Sequence, residues 1–153
     1  MNNFPFFSVV IPTYNRENII KKAIDSVLSQ SFQDFEIIII DNGSTDNTKQ
    51  FIKSYSHAKI NYFCQIGSGS PASPRNAGIR NSLAPWVCFL DSDDYWLPNK
   101  LEVLNQAIKA NKEADVFYHY EIMLNQNTGK ETVLSHHRRL DNMYKDMLEN
   151  GNQ

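Results

Sequence analysis

The segment Phe35-Glu-Ile-Ile-Ile-Ile-Asp41 decides the fold class of this chain. Four consecutive isoleucines suit a strand that is buried on both faces, as in a parallel sheet covered by helices. Strand-sized apolar runs also occur at Phe7–Ile11, Lys59–Cys64 and Trp86–Leu90. Segments with helical spacing of apolar residues separate these runs. The alternation predicts an α/β domain with a mostly parallel sheet flanked by helices.

Further elements are predicted after the fourth strand. A helix follows Pro98, a fifth strand covers Asp115–Met123, and Asn127-Thr-Gly129 is a turn. Apolar residues at helical spacing predict an amphipathic helix at Arg139–Glu149. Since we find no linker or internal repeat, we expect residues 1–153 to form a single domain.

Composition and charge exclude several classes of protein. The 153 residues include 15 Lys and Arg against 17 Asp and Glu, so the chain has no basic excess for general nucleic-acid binding. No apolar run approaches the roughly 18–20 residues of a membrane span, and the N-terminus does not resemble a secretory signal. Cys64 and Cys88 lie alone in apolar segments and are predicted to be buried thiols. We therefore expect a cytoplasmic protein.

Acidic residues follow the fourth strand as Asp91-Ser-Asp-Asp94. Ligands of open α/β sheets bind outside the carboxyl ends of the strands, which is where this segment is placed. Three carboxylates within four residues repel one another, and a divalent cation with a preference for oxygen ligands relieves that repulsion. The alternative is an acidic turn that favours the N-terminus of the next helix. The position at a strand end favours a magnesium or manganese site.

The other strand ends also carry polar and aromatic residues. Asp41 and Asn42 follow the second strand, where a nucleotide base or ribose is within reach, although a turn-and-cap role explains part of this segment. Tyr14 suits stacking on a base and Arg16 suits a phosphate, with a solvated helix start as the alternative. Arg75 follows a loop rich in Gly, Ser and Pro at the start of a short helix, where it can face a diphosphate.

Five segments in order resemble the family 2 glycosyltransferases over about residues 7–125. They are Ser8–Asn15, Ser26–Gln30, Phe35–Asp46, Arg75–Gly78 and Phe89–Trp96. The resemblance implies the GT-A (Rossmann-like) fold. It also implies transfer of a sugar, with inversion, from a nucleoside-diphosphate donor to an acceptor hydroxyl.

The resemblance implies roles for individual residues. Asp91-Ser-Asp93 looks like the DxD motif of the family, and Mn²⁺ or Mg²⁺ is the implied cofactor. The implied metal ligands are Asp93 and Asp94. The implied donor-binding residues are Pro12, Tyr14, Arg16, Asp41, Asn42, Arg75, Asp91 and Ser92.

Two departures from the family pattern affect the expected function. Asn42 stands where the family often has a second Asp. Aspartate accepts from a uracil N–H, whereas asparagine can accept or donate, so the residue leaves the donor base open, with UDP as the favourite over dTDP or GDP. Family members typically continue further, so we expect a domain truncated at its C-terminus and lacking the acceptor region. No general base is identified after Asp94, since neither His119 nor Glu121 matches the family position.

The resemblance also implies a setting. The acceptor is expected to be a glycan or lipid-linked molecule in cell-surface polysaccharide synthesis, reached from the inner face of the plasma membrane by peripheral contact. The alternative function is a non-catalytic module that binds nucleotide or forms a homodimer through its amphipathic tail. Metal-independent dimerisation without nucleotide binding distinguishes this alternative from the enzyme.

Overall fold

The structure is a computed structural model that describes residues 4–119, 121–125 and 127–134. The chain divides into two compact units, Met1–Lys112 and Glu113–Gln153. All ten residues predicted to bind the donor or the metal belong to the first unit. The expectation of a single domain over residues 1–153 stays a prediction.

The first unit alternates strands and helices, as predicted. Its elements are β1 (Phe7–Thr13), α1 (Ile20–Leu28), β2 (Phe35–Asp41), α2 (Thr48–Ser54), β3 (Ile60–Cys64), α3 (Ala72–Asn81), β4 (Trp86–Phe89) and α4 (Lys100–Ala110). The described strands form a parallel sheet in the order β3-β2-β1-β4. The register pairs Thr13 with Asp41 and Asp41 with Cys64, so the carboxyl ends of β1, β2 and β3 meet at one edge.

Helices cover both faces of the sheet. Every residue of β2 is buried, which confirms the prediction from the isoleucine run. On one face Val9, Ile37 and Ile39 pack in a cluster with residues of α1 and α4 such as Ile24 and Leu101. On the other face a smaller cluster of Val10, Ile38 and Ile40 has Ala77 of α3 packed against it. Burial of these side chains supplies the apolar free energy that holds the layers together.

The predicted fifth strand at Asp115–Met123 is wrong in its extent and pairing. In the second unit, β5 (Glu121–Leu124) pairs antiparallel with β6 (Glu131–Leu134) in a two-stranded sheet. All four residues of β5 are exposed, whereas a strand within a parallel sheet is buried on both faces. The turn prediction holds, because the Gly129 N–H donates to the Asn125 carbonyl at 2.8 Å. The tail helix predicted at Arg139–Glu149 lies outside the described residues.

The two cysteines differ in exposure. Cys64 is exposed, contrary to prediction, because it ends β3 at the outer side of the described sheet. Cys88 is partly buried in β4, and burial raises the pKa of its thiol to about 12. Among the described residues we find no helix with the length and apolar character needed to cross a membrane.

Gly78 allows α3 to lie unusually close to the sheet. A Cβ atom added at Gly78 would lie 2.2 Å from Cγ1 and 2.9 Å from Cγ2 of Val10. Val10 is fully buried in β1, and its close-packed neighbours leave its side chain no room to move away from an added Cβ atom. The contact sets the distance between α3 and β1, and α3 carries Arg75.

We predict that Gly78→Ala destabilises the chain by about 1–3 kcal/mol through overpacking. The usual effect of this substitution in a helix has the opposite sign, because alanine is the better helix former by about 1 kcal/mol. Urea denaturation measures the change, and Arg80→Ala at an exposed position of the same helix is the matched control. The double variant Gly78→Ala, Val10→Ala should lose less free energy of unfolding than the two single variants lose in sum. A Gly78→Ala protein as stable as wild type would contradict the packing argument.

Candidate functional site

A cleft of about 280 Å³ lies at the carboxyl ends of the strands. Eight of the ten predicted site residues line it, and Asp41 and Asp94 do not. The lining residues are Pro12, Thr13, Tyr14, Arg16, Asn42, Pro71, Pro74, Arg75, Asp91, Ser92 and Asp93. A larger depression of about 430 Å³ lies between α2 and β3, with Lys53 and His57 in its lining. Since that depression contains no carboxylate and no predicted site residue, we assign the candidate site to the smaller cleft.

Asp41 is held inside the protein rather than in the cleft lining. It is 1% exposed, and its carboxylate accepts hydrogen bonds from the Ser44 N–H at 2.8 Å and the Tyr62 hydroxyl at 2.7 Å. Burial and the bond to Asp41 raise the pKa of Tyr62 above its ordinary value. In this arrangement Asp41 fixes the turn after β2. A role for Asp41 in reading the base stays a prediction.

Asn42 joins two loops that border the cleft. Its Oδ1 accepts hydrogen bonds from Gln65 Nε2 at 2.7 Å and from the Ser68 N–H at 3.2 Å. A backbone N–H can only donate, so this contact identifies the atom as the amide oxygen. Glycines allow the close approach, because a Cβ added at Gly43 would lie 2.7 Å from the nitrogen of Gly67. The amide oxygen of Asn42 therefore holds the 65–70 loop, and its NH₂ group remains a donor for a ligand.

Two arginines meet two carboxylates in the cleft. An Arg16 guanidinium nitrogen lies 3.6 Å from Asp93 Oδ2, and Arg75 is paired with Asp91. Arg75 also donates to the Pro71 carbonyl at 3.0 Å. Exposed pairs of this kind contribute only about 0–1 kcal/mol to stability, so a ligand can replace either partner at little cost.

The acidic segment forms a turn after β4. The Asp94 N–H donates to the Asp91 carbonyl at 3.0 Å, and the Asp94 side chain is exposed. Within the described ranges, no group of three or more His, Cys, Asp or Glu side chains is arranged to hold a metal ion. Asp91 and Asp93 line the cleft, so at most two carboxylates from the lining can reach one cation there.

Asn15 ties the loop after β1 to the loop after β2. Its backbone has φ +51°, its N–H donates to Ser44 Oγ at 2.9 Å, and its Oδ1 accepts from the Thr45 N–H at 2.8 Å. Asn15 does not cap α1, because α1 begins at Ile20 with Ile19 in the capping position. The long-range contacts fix the backbone on both sides of Asn15. Tyr14, which is 54% exposed, and Arg16 are thereby held at the cleft.

Asp46 reinforces the same pair of loops. It accepts hydrogen bonds from the Thr48 N–H at 3.0 Å and the Glu17 N–H at 3.3 Å. The next residue, Asn47, occupies the capping position of α2. Burial acts to raise the pKa of Asp46, but the bonds from the Thr48 hydroxyl and from these backbone groups outweigh it and hold the pKa below its ordinary value.

Several lining residues escaped the sequence analysis. Pro71 and Pro74 come from the loop before α3 and its first turn, and Thr13 is the last residue of β1. Strand alternation is the one sequence signal for Thr13, since it places this residue on the same face as Val9 and Ile11. That pattern by itself favours an ordinary buried position.

Comparisons with known proteins found a matching family model and several relatives. The family model for Glycosyl transferase family 2 matches residues 8–152. An uncharacterized glycosyltransferase of Rickettsia bellii is 44% identical over 105 residues, which cover 68% of this chain and 15% of the relative. The UDP-Glc:alpha-D-GlcNAc-diphosphoundecaprenol beta-1,3-glucosyltransferase WfgD of Escherichia coli is 32% identical over 120 residues, covering 78% and 47%.

Solved structures show the same likeness. S. aureus TarS 1–349 in complex with UDP-GlcNAc matches with a TM-score of 0.66 and 33% identity, over 69% of this chain and 32% of that one. The mannosyltransferase PcManGT of Pyrobaculum calidifontis, in complex with GDP-Man and Mn²⁺, matches in fold with a TM-score of 0.62 and 24% identity, over 74% and 34%. The chain thus spans less than half the length of each of these proteins.

We predict that Asn15→Gly and Asn15→Ala both destabilise the chain, alanine more than glycine. Each removes the side-chain acceptor, and a lost hydrogen bond of this type costs about 0.5–1.5 kcal/mol. Alanine adds about 1–2 kcal/mol because its Cβ disfavours positive φ, whereas glycine adopts it freely. Urea denaturation of the two variants separates the cost of the lost hydrogen bond from the cost of positive φ. Equal losses would show that the backbone relaxes away from φ +51° without the amide.

We predict that the stabilising effect of Asp46 depends on pH. Its pKa lies below the ordinary 3.8 in the folded chain, so ionised Asp46 stabilises the fold above about pH 4. That contribution is lost as the pH falls through the lower folded-state pKa. The difference in free energy of unfolding between wild type and Asp46→Asn should therefore shrink from pH 6 to pH 2.5. A difference that is constant across this range would argue against the assigned hydrogen bonds.

Proposed function

The chain belongs to glycosyl transferase family 2 and has the GT-A fold of its solved relatives, and from this membership we propose that its cleft binds a nucleoside-diphosphate sugar together with Mn²⁺ or Mg²⁺. One observation carries the proposal: side chains suited to a base, a diphosphate and a cation line the same 280 Å³ cleft. UDP-sugar is the favoured donor. The TarS complexes with UDP and UDP-GlcNAc support that choice.

The base is proposed to lie between Tyr14 and Asn42. More than half of the Tyr14 side chain is exposed, so its ring is available for stacking. The oxygen of Asn42 is engaged by the 65–70 loop, which leaves the NH₂ group to donate to a carbonyl oxygen of the base. Uracil, thymine and guanine all carry such a carbonyl. This contact therefore does not choose among UDP, dTDP and GDP.

The diphosphate is proposed to bind between Arg16 and Arg75. Each guanidinium already faces a carboxylate, and phosphate oxygens suit the same fork of N–H donors. The two arginines and the two aspartates of the lining carry a formal charge that sums to zero. A diphosphate alone would leave the cleft negative. A divalent cation restores the balance, and this is the electrostatic argument for metal dependence.

The residues of the cleft fit such a cation. Asp91 and Asp93 offer only oxygen donors, and Mg²⁺ is commonly held by one or two carboxylates together with substrate phosphates and water. We therefore retain Asp93 as a proposed ligand, with Asp91 beside it, while Asp94 as a ligand stays a prediction because its side chain is not in the lining. A bound cation supplies charge neutralisation of the departing diphosphate.

Inverting sugar transfer to a glycan or lipid-linked acceptor is proposed for the whole protein. WfgD is named for an acceptor linked to diphosphoundecaprenol, which supports a lipid-linked class and, with it, a peripheral position at the cytoplasmic face of the plasma membrane. A general base remains unassigned, because His119 and Glu121 belong to the second unit and nothing relates them to the cleft.

We predict that the chain binds UDP in the presence of Mn²⁺ and that Asp93→Ala weakens this binding by about 10- to 150-fold. Loss of a contact to a charged group costs about 1.5–3 kcal/mol, which corresponds to that range. Calorimetric titration with UDP, dTDP and GDP, each with and without Mn²⁺, measures the affinities. Asp34→Ala is the matched control, since Asp34 is exposed before the start of β2, at the opposite end of the sheet.

Unchanged affinity in a folded Asp93→Ala protein would remove the metal assignment. Failure of the wild-type chain to bind any of the three nucleotides would overturn the donor-binding proposal. In that case sedimentation analysis tests the alternative of a self-associating module.

A further inference from the structure

Thr13 carries a buried hydroxyl that no described residue satisfies. The residue is 3% exposed, and its Oγ1 is the one buried side-chain oxygen or nitrogen without a hydrogen-bond partner in the described part of the chain. Other buried hydroxyls are satisfied, such as Ser8 by Glu36 at 2.6 Å and Thr48 by Asp46 at 2.5 Å. Leaving a buried polar group unpaired is costly. Such a group therefore calls for a partner from outside the chain.

The position of Thr13 identifies the direction from which that partner comes. Thr13 lines the cleft at the end of β1, which lies between β2 and β4 in the sheet. Its Cα pairs with that of Asp41, and its carbonyl accepts from the Asn42 N–H at 2.8 Å. A ligand bound in the cleft contacts Thr13 at this position. A change of χ1 rotamer, a small and frequent adjustment on binding, turns the hydroxyl toward it.

The order of the strands indicates which part of the ligand lies opposite Thr13. The proposed base contact, Asn42, follows β2, and the proposed contacts of the cation that accompanies the diphosphate, Asp91 and Asp93, follow β4. Neighbouring strands are about 4.8 Å apart, so these two groups are separated by about 10 Å with β1 between them. A nucleoside diphosphate laid across the strand ends places its ribose at β1.

We propose that the Thr13 hydroxyl hydrogen-bonds a ribose hydroxyl of the bound nucleotide and so contributes to recognition of the ribose of the donor. The inference rests on the proposed function, since it requires a nucleotide in this cleft. A threonine hydroxyl and a ribose hydroxyl can each donate and accept, so the pair is compatible in either direction. If the partner is the 2′-hydroxyl, this contact favours UDP over dTDP, a choice that Asn42 leaves open.

The test compares Thr13→Val with Thr13→Ser. Thr13→Val removes a hydroxyl that has no partner among residues 4–119, 121–125 and 127–134, so the free protein should melt at or above the wild-type temperature. Its affinity for UDP with Mn²⁺ should fall about 2- to 10-fold, the effect of one neutral hydrogen bond. Thr13→Ser keeps the hydroxyl and should bind UDP within about twofold of wild type.

Thr48→Val is the matched control for stability. The Thr48 hydroxyl is satisfied by Asp46 and also accepts from the Arg16 N–H at 2.9 Å. The same substitution at this position should lower the melting temperature. A Thr13→Val protein that is destabilised to the same degree, or that does not fold, would show that the hydroxyl has a structural partner and would overturn the inference.

Deoxy analogues locate the contact on the ligand. The wild-type protein should bind one of the two analogues, 2′-deoxy-UDP or 3′-deoxy-UDP, more weakly than UDP. The Thr13→Val protein should bind that same analogue with the affinity that it has for UDP, because the contact is already absent. If removal of the ribose hydroxyl weakened binding equally in the wild-type and Thr13→Val proteins, the ribose assignment would be overturned. If wild type binds UDP and Thr13→Val binds it equally well, the inference alone fails. If wild type binds no nucleotide, the proposed function fails with it.

Discussion

Burial of β1 and β2 on both faces is the constraint on which the rest of the structure depends. With helices packed against each face, most side chains of these strands are apolar, the hydrogen-bonded pair Ser8 and Glu36 excepted, and polar groups collect where the strands end. The loops there have backbone N–H groups that no strand can pair. Oxygens of Asn15, Asp41, Asn42 and Asp46 accept those hydrogen bonds. The same hydrogen bonds that complete the loops therefore hold in place the residues that line the cleft.

The elements of the first unit could be predicted because their signal is local. Apolar runs and helical spacing give β1 to β4, and the strand ends then give most of the cleft. Asn15 and Asp41 could not be placed, because their partners Thr45 and Tyr62 lie 30 and 21 residues along the chain. The strand prediction from Asp115 to Met123 was wrong for a related reason. Alternation of side chains indicates a strand but does not indicate which strand it pairs with.

Asp41 and Asn42 show why neighbouring residues of similar chemistry need a structure to be told apart. Their position after β2 predicts contact with a base or ribose for both. In the structure Asp41 is buried and each of its carboxylate oxygens accepts a hydrogen bond. Asn42 is partly exposed, and within the described residues its NH₂ group donates to no protein group. Membership of the family indicates the kind of ligand. Which donors and acceptors remain available to that ligand is decided by the hydrogen bonds already made within the chain.

The central position of β1 and β2 also has a consequence for motion. Their amides are paired within a sheet flanked on both sides, so exchange with solvent there requires unfolding of the whole unit. The 65–70 loop is largely exposed and is held mainly by the Asn42 amide, so it opens at a lower cost. One side of the cleft is then rigid over long times and the other yields locally. A ligand entering from the side of the loop meets the least resistance.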